Sequence, residues 1–138
     1  MPKTRIVDLC ARGRNATFFV NHIIDIAGTA VDAHVFTATQ RCQVIDIQAC
    51  PRVIGGDAGA VSATVRRCQG TEAPASGDDL LGATKIDLKG TADTVQNPAL
   101  TSTTSALTLE VGNRLAIDVT GTLTAVVCVV TIEVALIA

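Results

Sequence analysis

The sequence predicts an all-β fold: strand spacing that fits an antiparallel sandwich or barrel, read as a single-domain β-sandwich of about eight strands. Three observations predict it. Short runs of alternating apolar and polar residues recur roughly every 10–15 positions, separated by Gly, Pro, Asn and Asp. No window carries the i, i+3, i+4, i+7 apolar stripe of a helix, and Thr and Val are too abundant for good helices. Finally, 48% of residues are hydrophobic but only 2% aromatic, with three Phe, one Met and no Tyr or Trp. Val, Ile, Leu and Ala must therefore fill the interior, and β-branched residues suit a pleated surface. At 138 residues the chain is one domain, expected to comprise a basic arm, 1–16, and a sandwich, 17–138.

The first strand is expected at Thr17–Ile26, with Phe18, Val20, Ile24 and Ile26 on one face and Asn21 and Asp25 on the other. After a turn at Gly28-Thr29, a second strand covers Val31–Ala38. A third covers Cys42–Ala49, where Ile45 and Ile47 alternate with Asp46 and Gln48. Pro51 is expected to limit it, since proline cannot donate to a ladder. Beyond the turn at Gly55–Gly59, Val61–Cys68 predicts Val61, Ala63 and Val65 inward and Ser62, Thr64 and Arg66 outward. Arg66 and Arg67 then point to opposite faces, which makes them either an ordinary surface pair or a pair of which one approaches the core edge or an interface.

Gln69–Asp79 is a polar loop, and Leu80–Leu88 is expected as a strand. Gly90–Thr104 is the longest irregular stretch, broken by Asn97-Pro98; such connections are usually functional or interface-forming. Ala106–Val111 places Leu107, Leu109 and Val111 on one face, and Gly112-Asn113 is a hairpin-compatible turn. Arg114–Val119 points Leu115, Ile117 and Val119 inward. After Gly121, Thr122–Val134 is apolar on both faces through Val130 and is expected as a central strand. The apolar run Leu123–Ala138 is too short and too β-branched for a spanning helix and carries Glu133, so no membrane partner is expected.

Charge narrows the partners. The net charge is −2, which supplies no field toward DNA or anionic lipid, and the lack of aromatics leaves nothing to stack bases on; no nucleic-acid partner is expected. Lys3, Arg5, Arg12 and Arg14 against Asp8 give residues 1–14 a formal +3, so the remainder carries −5 of the total −2. A basic arm on an acidic body suits docking on an acidic neighbour. Charged residues make up only 17% of the chain, which points to a surface partly covered by partners.

No enzyme is expected. The five cysteines, Cys10, Cys42, Cys50, Cys68 and Cys128, form no C-x-x-C pair. They are odd in number and follow no apolar leader, so reduced thiols are expected. His22 and His34 fall on different strands and have no evident co-ligands. Asp57, Asp78 and Asp79 lie in turns that lack the ordered oxygen pattern calcium requires. Gly55, Gly56 and Gly59 open no helix and precede no G-K-[ST]. The expected catalytic, metal and cofactor sets are empty. The threonines Thr101, Thr103, Thr104, Thr108, Thr120, Thr122 and Thr124 suit exposed sheet or close subunit packing.

Two runs carry a resemblance. VFTATQRCQVIDIQACPRV (35–53) is followed by a strand ending in Gly70, and LTLEVGNRLAIDVTGTLTAVVCVVTIEV (107–134) closes the chain. Together they resemble the small head decoration (cement) proteins of tailed bacteriophages. Val111-Gly112-Asn113-Arg114-Leu115 occupies their late turn, and Ile132-Glu133-Val134 their final strand ending. The likeness spans residues 31–134. Asn113 stands where Asp is common, and the cysteines and the basic residues 1–14 are additional. The resemblance implies a non-enzymatic sandwich or jelly roll on the virion, made in the host cytoplasm, a dimer or trimer that braces the head by binding many copies of the major capsid protein. The expected contacts are Lys3, Arg5, Arg12 and Arg14 of the arm and Asn97, Pro98 and Thr101 of the long loop. The competing expectation is a receptor- or carbohydrate-binding domain of a spike or fibre, against which the aromatic poverty argues.

Overall fold

A computed structural model describes residues 16–27, 31–54, 59–122 and 124–137. Among the described residues nine strands form two antiparallel sheets: β1 (Thr17–Ile26), β2 (Ala33–Thr37), β3 (Cys42–Val53), β4 (Ser62–Cys68), β5 (Asp78–Asp79), β6 (Ile86–Asp87), β7 (Thr108–Leu109), β8 (Arg114–Thr120) and β9 (Val126–Leu136). The first sheet has the order β1-β9-β3-β7. The second has the order β2-β8-β4-β5, with β6 also on β4. Among the described residues the only helical pieces are 3₁₀ turns at Pro74–Ser76 and Thr104–Leu107.

The chain crosses between sheets at nearly every step. β1, β3, β7 and β9 lie in the first, and β2, β4 and β8 in the second. This wrapping is the jelly-roll pattern, and it makes sheet neighbours distant in sequence. β1 pairs with β9 from Thr17↔Ala135 to Ile26↔Val126. The inner faces meet in a core of Val20, Ile24 and Ile26 from β1, Val44 and Ile47 from β3, Leu115 and Ile117 from β8, and Val130, Ile132 and Val134 from β9. Each such side chain contributes about 1.5–3 kcal/mol on burial. Phe18 and Phe36, with ring centroids 5.5 Å apart, close the side where β1 meets β2.

The structure corrects several expectations. β3 runs through Pro51 to Val53, because β7 covers only Cys42 and Gln43. Pro51 therefore sits on an edge beside a register shift, where the missing N–H breaks no ladder bond; its carbonyl accepts from Asp93 N–H at 2.7 Å. Leu80–Leu88 is not one strand. Leu80 and Leu81 are both buried, and the chain turns at Gly82 between the two-residue β5 and β6. The span 106–111 contributes only Thr108–Leu109 to a strand, and Val111 is 69% exposed instead of sharing a face with the buried Leu107 and Leu109. The Gly112-Asn113 turn (Gly112 φ 89°) is a corner leading from the first sheet to the second, not a hairpin. Thr64, expected outside, is buried because residues 70–85 fold over the outer face of β4.

Candidate docking surface

The outer faces of the two sheets differ, and the difference begins with residues 70–85. Along β4 and β8 the outward side chains are Thr64, Arg66 and Asp118, and the overlying segment supplies Asp79 and Lys85. Arg66 Nε donates to Asp118 Oδ2 at 2.7 Å, and its Nη1 donates to the Gly77 carbonyl at 3.0 Å. Asp79 accepts from the Thr64 hydroxyl, from Lys85 Nζ at 2.6 Å and from Leu81 N–H at 3.0 Å. Lys85 Nζ also donates to the Gly82 carbonyl at 2.7 Å. Burial alone would push the Asp79 carboxyl up, but these three donors outweigh it and hold it below its ordinary value.

Every charge in the cluster is paired with a neighbour, Arg66 with Asp118 and Lys85 with Asp79. Arg67 is used the same way: Nη1 donates to the carbonyls of Ser105 at 2.8 Å and Thr108 at 2.9 Å, tying β4 to the first sheet. It is thus Arg67 that reaches the core edge.

The outer face of the first sheet is bare by comparison. Phe19 and Ile23 of β1 are each 60% exposed, and Val129 of β9 and Ile45 and Val53 of β3 are also exposed. Register sets them in rows: Ile23 lies beside Val129, and Val129 beside Cys50. Two rows along, past Asn21, Thr131 and Gln48, Phe19 lies beside Glu133, and Glu133 beside Asp46. Like charges directly opposite destabilise a sheet. Asp46 accepts from Gln48 Nε2 and Asn97 Nδ2, and neither acid has an ion pair among the described residues. Val95, 61% exposed, stands at the rim, and with Gln48, Cys50, Val129 and Thr131 it lines a groove of about 120 Å³. Small-molecule sites are usually several times larger, so this surface suits a macromolecule.

The long loop borders this face. Ala49 and Gln96 exchange backbone hydrogen bonds at 2.9 and 2.7 Å, anchoring residues 90–104 along the free edge of β3. Asn97 is exposed beside Asp46, Pro98 is buried, and Thr101 is half-buried, with its N–H on the Leu80 carbonyl at 2.9 Å. Asn97 and Thr101 can therefore meet a partner, whereas Pro98 packs inward. Lys3, Arg5, Arg12 and Arg14 lie outside the described residues, as do Cys10, Gly55, Gly56 and Asp57. The other four cysteines are free thiols. Burial pushes the Cys42 and Cys128 thiols up to about 11, so they are inert core atoms. His22 is half-buried on the inner side of β1, where desolvation lowers its pKa; His34 is exposed on β2. No group of three or more His, Cys, Asp or Glu with metal-ligand geometry occurs among the described residues.

A chain of the cyanophage Pam1 capsid asymmetric unit has this fold. The two structures agree with a TM-score of 0.56 over 89% of this chain and 86% of that one, at 14% sequence identity. At that identity the likeness concerns the arrangement of strands. No protein-family model and no curated protein sequence matches the chain. The exposed Phe19 and Ile23 were missed because β1 was read by its inner face alone, and the doubled apolar positions of β9 were read only as the mark of a central strand. The signal was present: Phe18-Phe19, Ile23-Ile24 and Val126–Val130 are apolar at consecutive positions, so both faces of β1 and β9 had to be apolar.

Proposed function

We propose that the chain is a non-enzymatic structural protein of a virion, a decoration protein that binds the outer surface of the major capsid protein lattice and stabilises the head. The observation that carries this reading is the bare outer face of the first sheet, on a fold similar to a phage capsid component. Apolar residues set in a polar rim are the anatomy of a protein–protein contact. On a lattice, weak contacts add through high effective concentration.

The basic residues Lys3, Arg5, Arg12 and Arg14 and the loop residues Asn97 and Thr101 supply further contacts. The opposed Asp46 and Glu133 are complementary to such an arm presented by a neighbouring copy. Co-sedimentation with purified empty heads tests the proposal. Wild-type protein pellets with heads to saturation, and Val129→Lys, which leaves the core untouched, lowers the affinity at least tenfold. Deleting residues 3–14 weakens binding more at low salt than at high salt, because exposed charges are screened. Undiminished head binding by Val129→Lys would remove the face from the contact, and failure of wild type to bind heads would remove the function.

A further inference from the structure

Sheet edges expose unpaired N–H and C=O groups that pair with any available strand, and proteins blunt them with bulges, short strands, proline, lysine or covering loops. Three edges of this sandwich are blunted. β2 is five residues long and carries a register shift between His34 and Phe36. The β5–β6 side consists of two-residue strands. The β3 edge is covered by β7, by the Ala49–Gln96 bridge and by Asp93 on Pro51.

β1 is different. It is ten residues long, TFFVNHIIDI, with no Pro, Lys or Arg. It pairs with β9 through ten consecutive positions without a shift, and among the described residues nothing hydrogen-bonds to its other side. The Leu136 N–H donates to the Ala16 carbonyl at 2.9 Å, so even-numbered residues face β9. Backbone direction alternates along an antiparallel strand, which leaves the N–H and C=O groups of Thr17, Phe19, Asn21, Ile23 and Asp25 on the open edge.

We infer that this edge pairs with the β1 of a second copy of the chain about a two-fold axis at Asn21, joining two first sheets into one. Side chains select that register. With Asn21 opposite Asn21 of the second copy, Phe19 lies opposite Ile23 twice and Asp25 opposite Thr17 twice, with no like charges facing. The full edge is then used, in about ten backbone hydrogen bonds. Sliding the axis by one residue, to His22, sets Asp25 against Phe19 and Asn21 against Ile23, which strands both apolar side chains. An isologous contact of this kind closes on itself as a dimer and does not propagate. It also continues the row Cys50–Val129–Ile23 into Phe19 of the second copy, doubling the width of the exposed face. The inference does not depend on capsid binding, because the dimer forms in free protein.

The test is cross-linking and sedimentation. Residues opposite each other in a hydrogen-bonded antiparallel pair have Cα atoms about 5.5 Å apart, within disulfide range. In full-length protein carrying Cys10→Ser and Cys50→Ser, Asn21→Cys therefore forms a reducible dimer under mild oxidation. Asp25→Cys, whose two copies would lie about 27 Å apart, does not. Wild type sediments at twice the chain mass, and Ile23→Lys sediments at the chain mass with its circular dichroism spectrum and melting cooperativity retained. A monomeric wild type, an Asn21→Cys that cross-links no faster than Asp25→Cys, or an oligomer unaffected by Ile23→Lys each overturns the inference. Val129→Lys keeps the dimer while losing heads, so the two proposals fail separately.

Discussion

Asp79→Asn keeps the size of a side chain that accepts three hydrogen bonds but removes its charge. In the wild type, Lys85 Nζ, the Thr64 hydroxyl and the Leu81 N–H converge on the Asp79 carboxylate. The asparagine amide offers one acceptor oxygen in place of two and turns an NH₂ toward another donor. A hydrogen bond to a charged group contributes about 1.5–3 kcal/mol, and a buried donor left without an acceptor costs about 1–3. Lys85 and Asp79 are 32% and 26% exposed, so solvent screening reduces their attraction toward about 1 kcal/mol. The expected loss is about 2 kcal/mol at pH 7, a fall in Tm of about 6 °C for a domain of this size.

The pH dependence gives a second reading of the same variant. The folded carboxyl titrates below its ordinary value of 3.8, so the unfolded chain takes up the proton first as pH falls. The stabilisation is therefore complete at neutral pH and is lost as pH drops through the folded value. Urea titrations of both proteins between pH 7 and pH 2 should show a gap that narrows in acid. A gap under about 0.5 kcal/mol at pH 7, or one that stays constant to pH 2, refutes the reasoning.

Other outcomes follow from the same structure. His22 has a pKa lowered from its ordinary 6.5 through desolvation, so wild-type stability should fall as pH drops below that ordinary value, and His22→Leu should flatten that slope in thermal melts. Ile132→Ala, at a position with no exposure, should cost about 2–5 kcal/mol in urea unfolding. Gly121→Ala should cost more than about 1 kcal/mol, because φ is 114° and the new Cβ would stand 2.6 Å from the Ala60 carbonyl oxygen. Among Cys42, Cys50, Cys68 and Cys128, alkylation at pH 8 followed by peptide mass spectrometry should modify the half-exposed Cys50 first. The Cys42 and Cys128 thiols are buried and raised to about 11.

Much of the fold was legible where period-two alternation meets a full inner face. β1 occupies the expected Thr17–Ile26, and Leu115, Ile117 and Val119 point inward as their spacing requires. Alternation records only local side-chain direction, so it fails where non-local packing decides. Leu80, Leu81, Ile86 and Leu88 are all buried, but by a folded-over segment rather than by one strand. Val111 matches the period of Leu107 and Leu109 and still lies in a turn, because the chain must change sheets at Gly112. Thr64 is polar by type and becomes buried through Asp79, a partner 15 residues away. The exposed apolar residues of the first sheet were written in the doubled apolar positions of β1 and β9. Which edge stayed open depended on pairings such as β1 with β9, more than a hundred residues apart, and no local pattern carries that.

We propose that the bare face of the first sheet meets a capsid lattice. Electron cryomicroscopy of purified phage heads saturated with the full-length protein tests it most directly. Density for the chain is expected at repeated lattice positions, with Ile23, Val129 and Val95 turned into the contact. A chain absent from the particles, or present with that face turned to solvent, contradicts it.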